Sequence, residues 1–122
     1  MLAVEDKTAV NWYKRALGAT ELWNMGSVAG MEIEGAPFFL GQPAKNGWES
    51  PIKHGITSAR VELFCDEPDT LIARRQVQRA VLTPLRITRG HEGTHRQGAF
   101  TDPFGHIWLV GDKSPLRQFQ QT

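Results

Sequence analysis

The stretch Ala99-Phe-Thr-Asp-Pro-Phe-Gly-His-Ile-Trp-Leu-Val-Gly-Asp112, near the end of the chain, decides the fold. It predicts a tight β-hairpin, because Asp102-Pro-Phe-Gly105 has proline and glycine at the second and fourth positions of a β-turn. The apolar residues of His106-Ile-Trp-Leu-Val110 are continuous, which is typical of a strand covered on both faces. One face of this hairpin should meet helices, and the other should line a core or a cavity.

The composition is that of one domain without an extreme charge. The chain has 122 residues, of which 40% are hydrophobic, and this is enough to form a core without metal or disulfide bonds. Its single cysteine, Cys65, favours a reducing, cytoplasmic location. A net charge of +1 offers no broad basic field, and no apolar run approaches the ~20 residues that span a bilayer. We expect a cytoplasmic domain with no nucleic-acid partner, no membrane partner and no signal peptide.

The first half of the chain predicts one helix between short strands. After a strand at 2–4, apolar residues recur at helical spacing from Ala9 to Leu17, and Gly18 should end this helix. Extended segments follow at 20–25, 31–34 and 37–40. The predicted order is therefore β-α-β-β-β. The turns between these strands are assigned to glycines, namely Gly26, Gly30 and Gly35.

The second half repeats this order after a polar connector. Residues 60–65 alternate like a strand, a helix runs from Pro68 to about residue 80, and a poorer strand at 81–87 is interrupted by Pro84. A loop at 88–94 then leads into the closing hairpin. The shared order supports an internal repeat, with module one at about 1–41, a connector at about 42–57, module two at about 58–112 and a tail at 113–122.

Three stretches together resemble the glyoxalase/bleomycin resistance/dioxygenase superfamily, also called vicinal oxygen chelate. They are Asn11-Trp-Tyr-Lys-Arg-Ala-Leu-Gly-Ala19, Arg60-Val-Glu-Leu-Phe-Cys-Asp-Glu-Pro-Asp69 and His95-Arg-Gln-Gly-Ala-Phe-Thr-Asp-Pro-Phe-Gly-His-Ile-Trp108. The resemblance implies an α+β fold in which two βαβββ modules form curved mixed sheets around a concave cavity, with helices on the outer face. It also implies a homodimer. Function does not follow, since this fold carries isomerases, dioxygenases, transferases and drug-sequestering proteins.

The resemblance also says where a metal would bind in the metal-dependent members. Their ligands lie at the start of each module's first strand and near the middle of each module's last strand. The first of these positions would precede Met1, and the others correspond to Phe39, Arg60 and Leu109. None of these three side chains is a ligand for a divalent ion. We therefore expect no metal and no other cofactor.

His91-Glu-Gly-Thr-His95 matches the His-Glu-x-x-His spacing of zinc proteases. That spacing binds zinc only on a helix, where residues four apart share a face. Gly90, Gly93 and Gly98 crowd this segment, and no amphipathic pattern surrounds it. A chance match in a glycine-rich loop is the favoured interpretation.

Alternation along the strand at 60–65 gives candidate cavity residues. With Leu63 facing the helices, Arg60, Glu62 and Phe64 should lie on the opposite, concave face. Arg60 and Glu62 either orient a ligand or form an ion pair or a dimer contact, and both interpretations stay open.

Aromatic and apolar residues complete the predicted site. Phe39 and Phe64 either stack on a flat ligand or fill the cavity, with Ile107 and Leu109 beside them. Trp48 in the connector is a candidate lid or dimer-contact residue. Trp108 should pack under the helices, and His106 should be a structural hydrogen-bonding residue. The predicted ligand-binding residues are Phe39, Trp48, Arg60, Glu62, Phe64, His95, Ile107 and Leu109.

Three classes of function fit these residues. A metal-free protein that binds a small molecule, such as an antibiotic or an aromatic compound, fits the apolar cavity without a catalytic constellation. A metal-independent lyase, isomerase or transferase is the alternative, with His91, His95 or Glu62 as acid-base groups. The third is a dimeric partner-binding module with a vestigial cavity. The sequence assigns no catalytic residue.

Overall fold

The computed structural model describes residues 1–6, 8–43, 47–90 and 93–116. The first half forms one mixed sheet with the strand order β1-β4-β3-β2. In it, β1 is parallel to β4 and the other pairs are antiparallel. Its elements are β1 (Leu2–Ala3), α1 (Thr8–Leu17), β2 (Thr20–Asn24), β3 (Val28–Ile33) and β4 (Ala36–Gly41).

The second half repeats this topology in a sheet with the order β5-β8-β7-β6. Here β5 is parallel to β8, which is the counterpart of the pairing between β1 and β4. The α+β fold of two βαβββ modules predicted from the sequence is therefore confirmed. The elements are α2 (Pro51–His54), β5 (Arg60–Phe64), α3 (Pro68–Ile72), α4 (Arg75–Gln78), β6 (Val81–Gly90), β7 (Gly93–Thr101) and β8 (Ile107–Gly111).

Helix α1 begins and ends where the sequence predicts. The Asp6 carboxylate accepts a hydrogen bond from the Thr8 amide at 2.8 Å, which satisfies one of the free amides of the first turn. Gly18 has a φ of +66°, the left-handed conformation that commonly ends a helix. The buried face of α1 carries Tyr13 and Leu17 toward the sheets.

The closing hairpin is confirmed, and Asp102 organises it. This buried carboxylate accepts hydrogen bonds from the Phe104 amide at 2.9 Å, the His106 amide at 3.0 Å and the Trp108 indole at 2.9 Å. It also accepts a hydrogen bond from the Tyr13 hydroxyl of α1. The turn, the last strand and the first helix are thus joined at one side chain.

A single core lies under α1 and spans both sheets. The Tyr13 ring lies 5.7 Å from Phe38 of β4 and 5.8 Å from Trp108 of β8, measured between ring centroids. Phe100 and Trp108 stack with their planes 5° apart. Trp108 is 1% exposed, so its predicted place in the core is confirmed.

Helix α1 packs against both sheets, and further contacts join the two halves of the chain. His106 Nε2 lies 2.7 Å from the carbonyl oxygen of Ala3, which confirms the structural role predicted for this histidine. The Ile52 amide donates to the Phe104 carbonyl at 2.9 Å, and the Ser50 hydroxyl donates to Glu5. Because the core occupies the helical side, the opposite face of each sheet is left for a site.

The predicted helix from residue 68 to about residue 80 is interrupted. Arg74 is extended, with φ −61° and ψ 139°, and divides the segment into α3 and α4. Its guanidinium donates two hydrogen bonds to the Arg15 carbonyl, at 3.1 and 2.7 Å. A contact with a distant helix therefore overrides the local helical pattern.

Two predicted turns or loops are strand instead. The loop expected at 88–94 is wrong at 88–90 and 93–94, because β6 and β7 remain paired from Arg86 and Gln97 to Gly90 and Gly93. Residues 91 and 92 lie outside the described residues. Gly30, predicted as a turn residue, lies inside β3. A glycine is needed at this position for close packing against a side chain, described below, and not for a chain reversal.

A search of the described residues found no helix long and apolar enough to cross a membrane.

Candidate functional site

The first sheet presents an aromatic wall, which we define as Trp23, Phe39 and Trp48. Trp23, Gly30 and Phe39 are aligned across β2, β3 and β4. The Trp23 and Phe39 rings lie 5.1 Å apart at 63°, an edge-to-face arrangement. The two residues remain 37% and 44% exposed, so their rings are offered to solvent rather than buried in the core.

Gly30 makes this arrangement possible. A Cβ atom at this position would lie 2.4 Å from two atoms of the Trp23 indole, which is far inside van der Waals contact. The indole therefore lies flat on the backbone of β3. A break in the register between Glu21 and Trp23 lets β2 bend at this point.

Trp48, which follows β4 in the chain, lies on the same face over Gly41, two residues after Phe39. A Cβ atom at Gly41 would lie 2.9 Å from the Trp48 indole and 2.6 Å from the Met1 sulfur. Trp48 is half-buried, so it is less exposed than its place in a polar connector predicts. Its role as a lid or dimer contact stays a prediction.

The second sheet presents a mixed wall, which we define as Arg60, Glu62, Phe64, Ile107 and Leu109. Arg60 pairs with Ile107 and Glu62 pairs with Leu109 across the parallel strands β5 and β8. Leu63 is buried on the core side, as the alternation predicts. Within the part of the chain that the structure describes, no ion pair joins Arg60 to Glu62.

A histidine-carboxylate pair adjoins this mixed wall. His95 Nδ1 lies 2.8 Å from Asp112 Oδ1 and 3.2 Å from Ser114 Oγ, and its ring lies 6.2 Å from Phe64. Burial would raise the pKa of Asp112, but hydrogen bonds from Ser114, the Arg96 amide and His95 outweigh it and hold that pKa well below its ordinary value. The carboxylate is therefore ionised at neutral pH and orients the imidazole.

The residues at the positions that the resemblance implies for a metal do not fit a divalent ion. The structure places Phe39 in the middle of β4, Arg60 at the start of β5 and Leu109 in the middle of β8. None of these side chains is an oxygen, nitrogen or thiolate ligand. No group of three or more His, Cys, Asp or Glu that could hold a metal occurs among the described residues.

The zinc-protease spacing also lacks the helix it needs. His95 lies in strand β7, paired with Thr88 of β6. His91 and Glu92 lie outside the described residues.

The structure places the predicted strand residues on two walls, with Phe39 in the first sheet and the others in the second. Phe39 contacts Trp23 and Phe64 contacts His95, and no ring contact joins the two phenylalanines in the described ranges. Ile107 borders an open cavity of about 420 Å³ with Ile56, and Leu109 borders a cleft of about 90 Å³.

Sequence reasoning missed Trp23 of the aromatic wall and two residues beside the mixed wall, Arg86 and Gln97. Trp23 lies in a strand that was predicted, but its partner glycine was assigned to a turn, so the flat packing of the indole was not foreseen. Arg86 and Gln97 line the cleft beside Leu109. Their place could not be foreseen, because it depends on the pairing of β6 with β7.

Comparison with known proteins supports this fold through structure rather than sequence. No protein-family model matches the chain, and no curated protein matches it in sequence. TioX from Micromonospora sp. ML1 is similar with a TM-score of 0.71 and 19% identity, over 91% of this chain and 93% of TioX.

Two further solved structures share this likeness. The fosfomycin resistance protein FosX from Mesorhizobium loti has a TM-score of 0.64 and 13% identity, over 97% of this chain and 92% of FosX. A glyoxalase-related enzyme from Fulvimarina pelagi has a TM-score of 0.63 and 17% identity, over 91% and 83%. The chain therefore has the fold of the glyoxalase/bleomycin resistance, or vicinal oxygen chelate, superfamily.

Proposed function

We propose that this protein binds a flat, largely aromatic small molecule without a metal. The observation that carries the proposal is the exposed Trp23–Phe39 pair lying over Gly30. Exposed aromatic rings on a rigid sheet provide a large stacking surface at a low cost in side-chain entropy. A core role would bury these rings, as it does Trp108.

The mixed wall would fix the orientation of the ligand. Arg60 and Glu62 are exposed and lie on the same face as the apolar side chains of Ile107 and Leu109. A few polar groups on an otherwise apolar surface are typical of small-molecule sites. FosX, one of the structurally similar proteins, is named as a fosfomycin resistance protein, so antibiotics belong in the panel of test ligands.

We further propose that two copies of the chain complete the site. The aromatic wall and the mixed wall each leave apolar side chains uncovered in one chain, and a homodimer would cover them. The ligand would then lie between the aromatic wall of one protomer and the mixed wall of its partner.

The proposal is tested with a panel of planar antibiotics and aromatic acids, followed by calorimetry and by quenching of tryptophan fluorescence. Phe39→Ala and Phe64→Ala should weaken binding by about 1–3 kcal/mol and leave the protein folded. Trp108→Ala should instead cost about 3–5 kcal/mol of stability. Leu82→Ala, which removes an apolar side chain that is 59% exposed elsewhere, is the control. Binding of no panel member below millimolar concentration contradicts the proposal, as does a Phe64→Ala variant as unstable as Trp108→Ala.

A metal-independent enzyme is the second candidate, and the His95–Asp112 pair favours it. A carboxylate that orients an imidazole is a common arrangement for a general base. Loss of turnover of a bound panel compound in His95→Gln or Glu62→Gln, with binding retained, would promote this candidate. If the wild-type protein binds a panel compound but does not convert it, the enzyme candidate is excluded for that compound and the binding function stands.

A further inference from the structure

A second groove lies on the helical side of the molecule, between the end of α1 and α4. It has a volume of about 550 Å³, and its lining includes Trp12, Arg15, Gln76, Arg79 and Pro103. This groove is separate from the aromatic wall and the mixed wall, neither of which contributes a residue to it. None of the described residues that line it is acidic.

Two of these lining residues are cations without an internal counter-ion. Arg15 and Arg79 are exposed, and neither side chain forms an ion pair or hydrogen bond within the described part of the chain. Arg74 differs, because its guanidinium is engaged by the Arg15 carbonyl. The Arg15 carbonyl at the end of α1 thus accepts hydrogen bonds from Arg74. The Arg15 side chain is available to bind a ligand.

Trp12 supplies an ordered aromatic edge to the same groove. Its ring is held by Tyr13 at 5.2 Å, Phe100 at 6.3 Å and Phe104 at 6.5 Å, measured between centroids. These contacts fix the indole while part of it borders the groove. Guanidinium groups recognise phosphate and carboxylate through paired hydrogen bonds, and an indole provides a face or edge for a planar ring.

We propose that this groove binds a small aromatic phosphate. The phosphate would lie between Arg15 and Arg79, and the ring would pack against Trp12, with the Gln76 amide as an additional donor. The site is independent of the function proposed for the concave walls.

The test is calorimetric titration with phenyl phosphate, with inorganic phosphate and phenol as comparison probes. Phenyl phosphate should bind at least tenfold more tightly than either probe. Arg15→Gln and Arg79→Gln should each weaken it at least fivefold. Arg75→Gln is the matched control, since it removes the same charge from α4 at a residue that does not line the groove, and it should change the affinity less than twofold.

Trp12→Phe, which keeps an apolar ring in the core, supplies a second measurement. Phenyl phosphate should quench the wild-type fluorescence, and Trp12→Phe should lose that part of the signal. The proposal is overturned by the absence of saturable binding, by inorganic phosphate binding as tightly as phenyl phosphate, or by an equal loss in Arg75→Gln. It is also overturned if Phe39→Ala abolishes binding while Arg15→Gln retains it, because the probe would then bind at the aromatic wall.

Discussion

Asp102 is the residue on which the closing motif depends. Its four hydrogen-bond donors come from its own turn, from the following strand and from α1. A buried carboxylate is tolerated because every one of these donors is directed at it. The motif from Asp102 to Trp108 is therefore a structural device that joins the two modules.

Replacing this carboxylate should be costly. Asp102→Ala leaves the Tyr13 hydroxyl, the Trp108 indole and two amides without their acceptor, and should lower the free energy of unfolding by about 3 kcal/mol or more. Asp66→Ala is the control, because its side chain is 76% exposed and forms a surface ion pair with Lys113. That variant should lose less than about 1 kcal/mol. Equal losses in urea denaturation of the two variants would refute the role given to Asp102.

The ionisation of Tyr13, the sole tyrosine of the chain, reports on the same cluster. Burial, and then the nearby Asp102 carboxylate, raise the pKa of this phenol well above its ordinary value of 10.0. Stability from the protonated phenol is thus full below pH 10 and is lost as the pH rises toward the folded pKa. Tyrosinate absorbance should therefore appear together with alkaline unfolding. A reversible titration near pH 10 in the folded protein would contradict this.

At the scale of elements, the order of strands and helices could be predicted, but their exact extents could not. Helix α1 was predicted because its periodicity and its terminating glycine agree. The break at Arg74 and the pairing of β6 with β7 depend on residues far away in the sequence, which local patterns do not contain. The role of Gly30 could not be predicted for the same reason, since it contacts Trp23 across the sheet and not along the chain.

The packing of the Trp23 indole over Gly30 gives a prediction for the aromatic wall. Gly30→Ala should displace the Trp23 indole from Phe39, because the added Cβ would overlap the ring. Panel ligands should bind the variant at least fivefold more weakly, while its melting temperature changes little, since Trp23 is partly exposed. Glu21→Ala, in the neighbouring strand β2, is the control. Wild-type affinity in Gly30→Ala would show that the Trp23 position is not used.

At the scale of the molecule, sequence reasoning identified the fold and the faces of its strands, but not how the walls meet. Alternation placed Arg60 and Glu62 correctly opposite Leu63. The alternation pattern does not say whether Phe39 and Phe64 line one cavity, because that depends on how the sheets pack within and between chains.

Assembly is the first prediction at this scale. Light scattering at micromolar concentration should give about twice the 13.7 kDa of one chain, because a dimer would cover the apolar residues of both walls. Trp23→Glu, which puts a charge on this face, should weaken the dimer. A wild-type mass of 13.7 kDa would contradict the assembly.

The central claim is that a ligand lies between the aromatic wall of one protomer and the mixed wall of the other. Phe39→Ala and Phe64→Ala chains, co-expressed with different tags, would form mixed dimers with one intact and one doubly altered site. Calorimetry on the purified mixed dimers, with the tightest-binding panel compound, should find about half of the sites binding with wild-type affinity. Weak binding at every site, as in either variant alone, would contradict the claim.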